Sequence, residues 1–321
     1  VIHGVLSFSH VNSMPRPRRR RPRISLVIPV HNDQHQLVEL TNEIRTALKG
    51  EAHEVIFVED GSTDLSWTVI TELVKQGHAR QELRGIRLSR NFGQHQAILA
   101  GLQKARGDYT VVLDADLQDN PAFIPEMLNI AEQGFDIVHG KRKPADFGWH
   151  RVVRACVHWI LTTASEVPLH QAMGNFKLLS SRVREAVIAY GKVYPLLELM
   201  VQNAGFSVAY ASVERRRRQT GKSTYNLRRS LDFIFTVLVH YSSLFFRWAV
   251  FAGIILMLST PVVCWLLPSP VAIGWLITLA VVFQSGLTLT MAGITGLYVR
   301  NLQMTGRDWP VYIIREEVSS I

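Results

Sequence analysis

The chain has 321 residues, of which 47% are hydrophobic and 19% are charged, and its formal net charge is +9. This length suits one large domain with an appendage, and the positive charge favours an anionic partner. The two cysteines, Cys156 and Cys264, form no metal-ligand pattern, and we expect no disulfide between them in a cytoplasmic protein.

Strand and helix patterns alternate along the first half of the chain. Short apolar runs predict strands at 24–30, 55–58, 83–88, 109–113 and 136–139. Helical patterns separate these runs and are predicted at 37–48, 67–74, 94–104 and from Pro121 onwards. This alternation predicts an α/β domain with a mainly parallel, doubly wound sheet, whose ligands bind beyond the carboxyl ends of the strands. Further helices are predicted at 150–165 and 182–190, and further strands at 176–179 and 207–213.

The fourth predicted strand ends in alternating carboxylates. Residues two apart on an extended chain point the same way, so Asp114 and Asp116 can offer oxygen ligands to one hard cation. Magnesium or manganese bound in this way completes its shell with substrate phosphates, as in a nucleoside diphosphate. The alternative is an ordinary polar exit from a strand. Asp60 follows the second strand and reaches the same edge of the sheet.

The first strand lacks the motifs of two common nucleotide-binding classes. Residues 29–33, Pro-Val-His-Asn-Asp, contain no glycine-rich dinucleotide fingerprint, and the chain has no Walker lysine loop. These absences disfavour nicotinamide enzymes and P-loop enzymes.

A long uncharged region predicts membrane insertion. No Asp, Glu, Lys or Arg occurs from Trp248 to Val299, and Pro268 and Pro270 divide this region into 248–267 and 271–299. Each piece is long enough to cross a bilayer, and the second would tilt or extend beyond it. Arginines flank both pieces, so both chain ends should face the cytoplasm, at the inner membrane. The alternative is a pair of buried helices in a soluble protein.

The remaining segments complete the predicted domain organisation. The basic tail at 1–23 should be disordered and lie on anionic lipid head groups, and nucleic-acid binding is disfavoured because no recognition motif accompanies it. Residues 227–247 form an amphipathic stripe that lies in the membrane interface or packs on the soluble domain. The predicted order is a tail at 1–23, a catalytic domain at 24–226, an amphipathic helix at 227–247, two spans at 248–299 and a cytoplasmic tail at 300–321.

Several motifs, in this order, carry a resemblance to a known family. They are VIPVHND at 27–33, VEDGSTD at 58–64, RNFG at 90–93, DADLQD at 114–119, GKR at 140–142, GNFKL at 174–178, RQTGKSTY at 218–225 and GLYVR at 296–300. The chain resembles the family 2 glycosyltransferases that load sugars onto polyprenyl phosphates, such as bactoprenol glucosyltransferases and dolichol-phosphate mannose synthases. The resemblance implies a GT-A fold, a nucleotide-sugar donor, a polyprenyl-phosphate acceptor, Mg²⁺ or Mn²⁺, membrane lipids as partners and a homo-oligomer, in which the tail at 311–315 could pair with a neighbouring chain.

The resemblance also implies a role for individual residues. The base and ribose pocket would be lined by Pro29, His31, Asp33, Val58 and Asp60. The ribose and diphosphate would be contacted by Asp114, Ala115 and Asp116. The cation would be bound by Asp116, Gln118 and Asp114. The phosphates of donor or acceptor would be bound by Arg142, Arg218, Lys222 and Ser223. The catalytic set would be Asp114, Asp116, Asn175 and Arg218.

The chain departs from the family pattern at several positions, which leaves alternatives open. Family members often have an aromatic residue at the position of His31 and a Glu at the position of Asp33. They frequently have an Asp where this chain has Asn175 and a Lys where it has Thr224. A phosphate acceptor is already an anion at neutral pH, so loss of a carboxylate base is tolerable. The expected reaction is the inverting transfer of one sugar. A processive polysaccharide synthase is disfavoured because Leu244 replaces the Gln of a Gln-x-x-Arg-Trp motif, and a non-catalytic scaffold or lipid transporter would not need the three aspartates.

Overall fold

The computed structural model describes residues 22–77, 81–142, 175–190, 205–213, 216, 270–306 and 310–320, together with four helical positions between 251 and 258. Four predicted features lie outside these residues: the basic tail to residue 21, the helix at 150–165, the amphipathic segment at 227–247, and most of the first membrane span.

One sheet of eight strands organises the domain. The strands are β1 Ile24–Val30, β2 His53–Glu59, β3 Gln81–Leu88, β4 Tyr109–Val112, β5 Ile137–Arg142, β6 Lys177–Ser180, β7 Val208–Val213 and β8 Ile314–Ser319. The helices are α1 Leu37–Ala47, α2 Ser66–Gln76, α3 Gln94–Lys104, a 3₁₀ turn Pro121–Phe123, α4 Ile124–Glu132, α5 Ser181–Tyr190 and α6 Pro270–Gly306. The spatial order of the strands is β7-β5-β6-β4-β1-β2-β3-β8.

The centre of the sheet is parallel and buried on both faces. β1 pairs in parallel with β2 and β4, and β2 pairs in parallel with β3. All seven residues of β1 are buried, as a continuous apolar run predicts for a strand covered on both sides. Helices α1, α2 and α4 cover one face, and α3 and α5 cover the other. The predicted α/β sheet is therefore confirmed.

Two strands make the sheet mixed. β6 lies between β4 and β5 and runs antiparallel to both, and β8 runs antiparallel to β3 at the edge. The sequence patterns of these short strands reveal burial but not direction, because residues on a strand alternate between faces in either direction.

The C-terminal strand belongs to the catalytic domain. Its pairing covers the outer edge of β3, whose backbone would otherwise be unpaired. Val318 packs on one hydrophobic cluster and Ile314 on the other, while Lys104 Nζ donates to Glu317 Oε1 at 2.5 Å. Residues 314 and 315, at the end of the segment 311–315, lie in this strand, so the predicted tail at 300–321 contributes a strand to the sheet. Pairing of 311–315 with a neighbouring chain stays a prediction.

Helix α6 is long enough to cross a membrane. Its 37 residues extend about 55 Å, and Ile273–Gly296 has a mean hydropathy of 1.7 with none of its hydrophobic window buried in the protein. Within the part of the chain that the structure describes, this is the one helix that meets both criteria. A hairpin of two spans stays a prediction.

Candidate active site

The loops that follow the central strands meet at one edge of the sheet. The backbone N–H of Asp60, after β2, donates to the carbonyl of Val30 at the end of β1 (2.9 Å). The backbone N–H of Leu113, after β4, donates to the carbonyl of Val27 (3.1 Å). The predicted meeting of polar residues at the carboxyl edge is therefore present.

Asn32 joins the loop after β1 to the loop after β2. Its φ of 60° is left-handed, a conformation that asparagine tolerates better than most residues. Its backbone N–H donates to Ser62 Oγ (3.1 Å), and its side-chain oxygen accepts from the N–H of Thr63 (2.8 Å). This pair of bonds holds two walls of the pocket together.

Asp60 fastens the loop that follows β3. Its side chain is buried, and its two oxygens accept from the backbone N–H groups of Phe92 (2.7 Å) and Gly93 (2.8 Å). These bonds offset the cost of burying a carboxylate. The side chain of His31 donates through Nδ1 to the carbonyl of Asp60 (3.0 Å). Asp60, expected in the base and ribose pocket, is committed in this structure to shaping the pocket's wall.

The other residues predicted for the nucleotide pocket lie near the carboxyl ends of β1 and β2 or in the loops after β1 and β4. Pro29 and Val58 are paired neighbours on β1 and β2 and are buried, as is Ala115. Asp33 lies in the loop after β1, where its Oδ2 accepts from the backbone N–H of His31 (3.2 Å) and its own N–H donates to Ser66 Oγ (3.1 Å).

A neighbouring carboxylate, Asp64, also stabilises this loop. Burial alone would raise the pKa of Asp64, but hydrogen bonds from Ser66 and from the backbone N–H of Gln34 outweigh it and lower the pKa below its usual range. The lowered pKa keeps Asp64 ionised at neutral pH, so it acts as an acceptor for these groups.

Residues 91–94 connect His31, in the loop after β1, to the acidic turn at 114–118. The sequence patterns did not predict this connection. Asn91 Nδ2 lies 3.3 Å from His31 Nε2. Gln94 Nε2 donates to Asp114 Oδ1 (2.8 Å). The available signal was a run of polar residues directly after β3, at the same edge as the aspartates.

Gly61 allows the loops after β2 and β3 to approach closely. Its φ is +64°, and a Cβ there would lie 2.3 Å from the backbone nitrogen of Asn91. We expect Gly61→Ala to displace residues 91–94 and to weaken the affinity for a nucleoside diphosphate about tenfold. Calorimetry would measure this affinity. Strain from a positive φ costs about 1–2 kcal/mol by itself.

Gly50→Ala is the matched control. Gly50 has a φ of +101°, but a Cβ there would meet nothing within 4 Å. It should reproduce the strain without the crowding. Equal nucleotide affinity in the two variants would contradict the assigned role of Gly61.

Asp114 and Asn175 lie together at the acidic turn. Asn175 Nδ2 donates to Asp114 Oδ1 (3.0 Å), on the same oxygen that accepts from Gln94. An aspartate at position 175 would bring two carboxylates within hydrogen-bond range, where one pKa must rise. Asparagine instead donates to Asp114 and orients it. The structure thus brings together two residues of the predicted catalytic set.

Asp116 and Gln118 form a tight turn. Asp116 Oδ1 accepts from the backbone N–H of Gln118 (3.1 Å), and Leu117 between them has a φ of 59°. Asp116 is partly exposed and Gln118 is buried. Carboxylate and amide oxygens are the ligands that magnesium and manganese prefer, so the residues of this turn fit the predicted cation. The described residues hold no group of three or more His, Cys, Asp or Glu side chains arranged around one metal position.

Arg216, which belongs to the run of four arginines at 215–218, lies against this turn. The backbone N–H of Arg216 donates to the carbonyl of Gln118 (3.0 Å), and its guanidinium pairs with Glu43 on α1. Arg142 is the last residue of β5 and pairs with Val213 of β7. The predicted phosphate ligands Arg218, Lys222 and Ser223 lie outside the described residues.

Comparison with known proteins now identifies the family. Residues 25–180 match the family described as Glycosyl transferase family 2. The chain belongs to this family and is a glycosyltransferase.

The relatives of this glycosyltransferase cover most of its length. It is 28% identical over 311 residues to the uncharacterized glycosyltransferase YkcC of Bacillus subtilis, covering 92% of this chain and 94% of that protein. It is 31% identical over 217 residues to the undecaprenyl-phosphate 4-deoxy-4-formamido-L-arabinose transferase of Pseudomonas paraeruginosa, covering 66% and 63% of the two chains. A mycobacterial protein of known structure has a TM-score of 0.50 at 16% identity, over 68% of this chain and 75% of that one. The sheet and its helices have the GT-A arrangement, with a mixed sheet where we expected a mainly parallel one.

Proposed function

We propose that this glycosyltransferase moves a single sugar from a nucleotide-sugar to a polyprenyl phosphate of the undecaprenyl or decaprenyl type, at the cytoplasmic face of the inner membrane. The observation that carries the proposal is the contact between Arg216 and Gln118, because it joins an arginine run to a turn suited to a metal and a diphosphate. Relatives named as undecaprenyl-phosphate transferases support this acceptor class.

The donor occupies the pocket at the carboxyl edge of the sheet. Pro29 and Val58 are buried near the carboxyl ends of their strands and Ala115 is buried after β4, and His31 and Asp33 supply polar groups to the donor from the loop after β1. The ribose and diphosphate lie over the acidic turn, where Asp114, Asp116 and Gln118 would hold Mg²⁺ or Mn²⁺. When bound, such an ion neutralises charge on the departing nucleoside diphosphate.

The acceptor phosphate lies on the arginine side of the turn. Arg218 follows Arg216 by two residues, so its Cα lies within about 7 Å of the Cα that is fastened to the turn. Lys222 and Ser223 follow on the same segment, and Arg142 ends the strand beside β7. Guanidinium groups bind phosphate oxygens with two parallel hydrogen bonds, which would orient the lipid phosphate toward the sugar.

The reaction needs no side-chain base. A phosphate monoester has its second pKa near ~6, so the attacking oxygen is an anion at neutral pH. Asn175 cannot take a proton, and its amide is engaged with Asp114. Its role is to keep Asp114 oriented. A single displacement by the phosphate oxygen inverts the configuration at the anomeric carbon.

The connection between α6 and β8 supports a site near the membrane. Leu88, at the carboxyl end of β3, pairs with Ile314, which follows the end of α6 at Gly306 by eight residues. Such a connection spans at most about 27 Å. The donor loop after β3 is therefore within reach of a helix apolar enough to span the bilayer.

A donor panel tests the proposal. Membranes containing the full chain would be incubated with undecaprenyl phosphate, Mn²⁺ or Mg²⁺ and a series of nucleotide-sugars, and lipid products would be separated by mass. We expect one sugar per lipid from one donor of the series. Chains of sugars would identify a processive synthase instead, and consumption of no donor with any ion or lipid would contradict the proposal.

A further inference from the structure

A charged pair joins α1 to the arginine run at a distance from the pocket itself. Glu43, on the second turn of α1, accepts through Oε1 from Arg216 Nη1. Its side chain is 24% exposed, and that of Arg216 is 41% exposed. Among the described residues, the other carboxylate oxygen of Glu43 is buried with no hydrogen-bond partner. Arg216 is thus the partner that the folded structure provides for this carboxylate.

Arg216 is held at two points. Its guanidinium binds Glu43, and its backbone N–H binds the carbonyl of Gln118 in the acidic turn. Residues 43 and 216 are separated by 173 positions, so only the fold brings them together. The 3₁₀ turn that follows Gln118 packs against α1, which places α1, the acidic turn and Arg216 of the arginine run in one contiguous unit.

We propose that Glu43 is a positioning residue for the acceptor. Its ion pair holds Arg216 against the acidic turn and so anchors one end of the segment that would bind the lipid phosphate. This inference rests on the proposed function. Glu43 is not among the residues proposed to bind donor or acceptor, and the partner that the structure gives it is Arg216. Its loss should therefore change the use of polyprenyl phosphate and leave the use of nucleotide-sugar unchanged.

A merely stabilising pair would behave differently. Exposed or half-exposed ion pairs contribute little to stability, so Glu43→Gln should fold normally. A positioning role predicts a rise of about five- to tenfold in KM for undecaprenyl phosphate, with an unchanged KM for the donor. A purely structural role would alter both constants together or neither.

The experiment uses the full chain in membranes and the donor that the unmodified protein consumes. Glu43→Gln is compared with Glu39→Gln, which removes an exposed carboxylate one turn earlier on the same helix. Glu43→Arg and Arg216→Glu are then made singly and together. We expect each single reversal to raise the acceptor KM and the double reversal to restore much of it. An unchanged acceptor KM in Glu43→Gln, or no recovery in the double variant, would overturn the inference.

Amide hydrogen exchange separates this inference from the proposed function. The N–H of Arg216 should exchange several-fold faster in Glu43→Gln than in Glu39→Gln, because the bond to Gln118 is no longer held. This measurement requires no substrate. Absence of transfer by the unmodified protein would count against the proposed function, whereas unchanged exchange at Arg216 would count against the role of Glu43.

Discussion

Asp116→Asn should reduce sugar transfer by about 10²- to 10³-fold. The change removes a negative charge from the turn that would bind the cation, and loss of one well-placed electrostatic group costs about 3–4 kcal/mol in the transition state. The asparagine oxygen can still accept the hydrogen bond from Gln118 N–H (3.1 Å), so the turn should keep its shape. Transfer is measured with radiolabelled nucleotide-sugar, and Mn²⁺ affinity by calorimetry in the presence of nucleoside diphosphate.

Asp108→Asn is the control for this prediction. Asp108 is an exposed carboxylate just before the opposite end of β4, so the variant makes the same chemical change away from the site. It should retain full transfer and full Mn²⁺ affinity. Full activity in Asp116→Asn would remove the metal assignment, and lost activity with unchanged Mn²⁺ affinity would move Asp116 to a role on the substrate.

Glu54→Gln should be the most destabilising conservative change in the domain. Glu54 is fully buried in β2, where Oε2 pairs with Arg106 (3.0 Å) and Arg84 (3.5 Å) and Oε1 accepts from Ser25 Oγ (2.6 Å). Removing one partner of a buried pair costs about 3–5 kcal/mol, and we expect the lower end of this range because Arg106 is 44% exposed and keeps Glu82 as a partner. For a domain of this size that corresponds to about 10 °C in melting temperature.

The same network raises the affinity of Arg106 for its proton. Burial alone would lower the pKa of Arg106, but Glu82 and Glu54 outweigh it and raise the pKa above its usual value. Arg106 therefore stays charged, and in Glu54→Gln it would keep Glu82 and solvent as its partners while the charge contributed by Glu54 is lost.

Thermal unfolding of Glu54→Gln and Glu51→Gln gives the comparison. Glu51 also pairs with an arginine, Arg23 at 3.3 Å, but both side chains are about 40% exposed, and such pairs contribute at most about 1 kcal/mol. A melting temperature of Glu54→Gln within about 2 °C of that of Glu51→Gln would show that the buried network contributes no more than a surface pair.

The acidic turn illustrates how far sequence reasoning reached. The apolar run before Asp114 indicated a buried strand, and strand β1 and helix α3 were predicted with the bounds that the structure has. Since parallel strands present their carboxyl ends at one edge, the neighbourhood of Asp60 and Asp114 followed from the order of elements. The partners did not follow. Asp60 was expected to face the ligand, whereas its oxygens bind Phe92 and Gly93.

The C-terminal strand illustrates the opposite case. Residues 314–319 carry three charges and were not predicted as a strand, because they fell within the predicted cytoplasmic tail at 300–321. Its edge position explains this composition, because an edge strand needs to bury only a few side chains, here Ile314 and Val318. Which strand it would join depended on an unpaired edge at β3, more than 200 residues away in sequence.

The sequence by itself determined seven of the eight described strands, the helices, the edge of the sheet at which the acidic residues lie, and one helix long enough to cross a membrane. Those features arise from the spacing of apolar residues, which is local. The tertiary structure alone decided the hydrogen bond of Asn175 to Asp114, across 61 residues, and the pairing of Glu43 with Arg216, across 173. A polar side chain can bind any of many partners in an unfolded chain, and packing of the core selects the one that ends within reach.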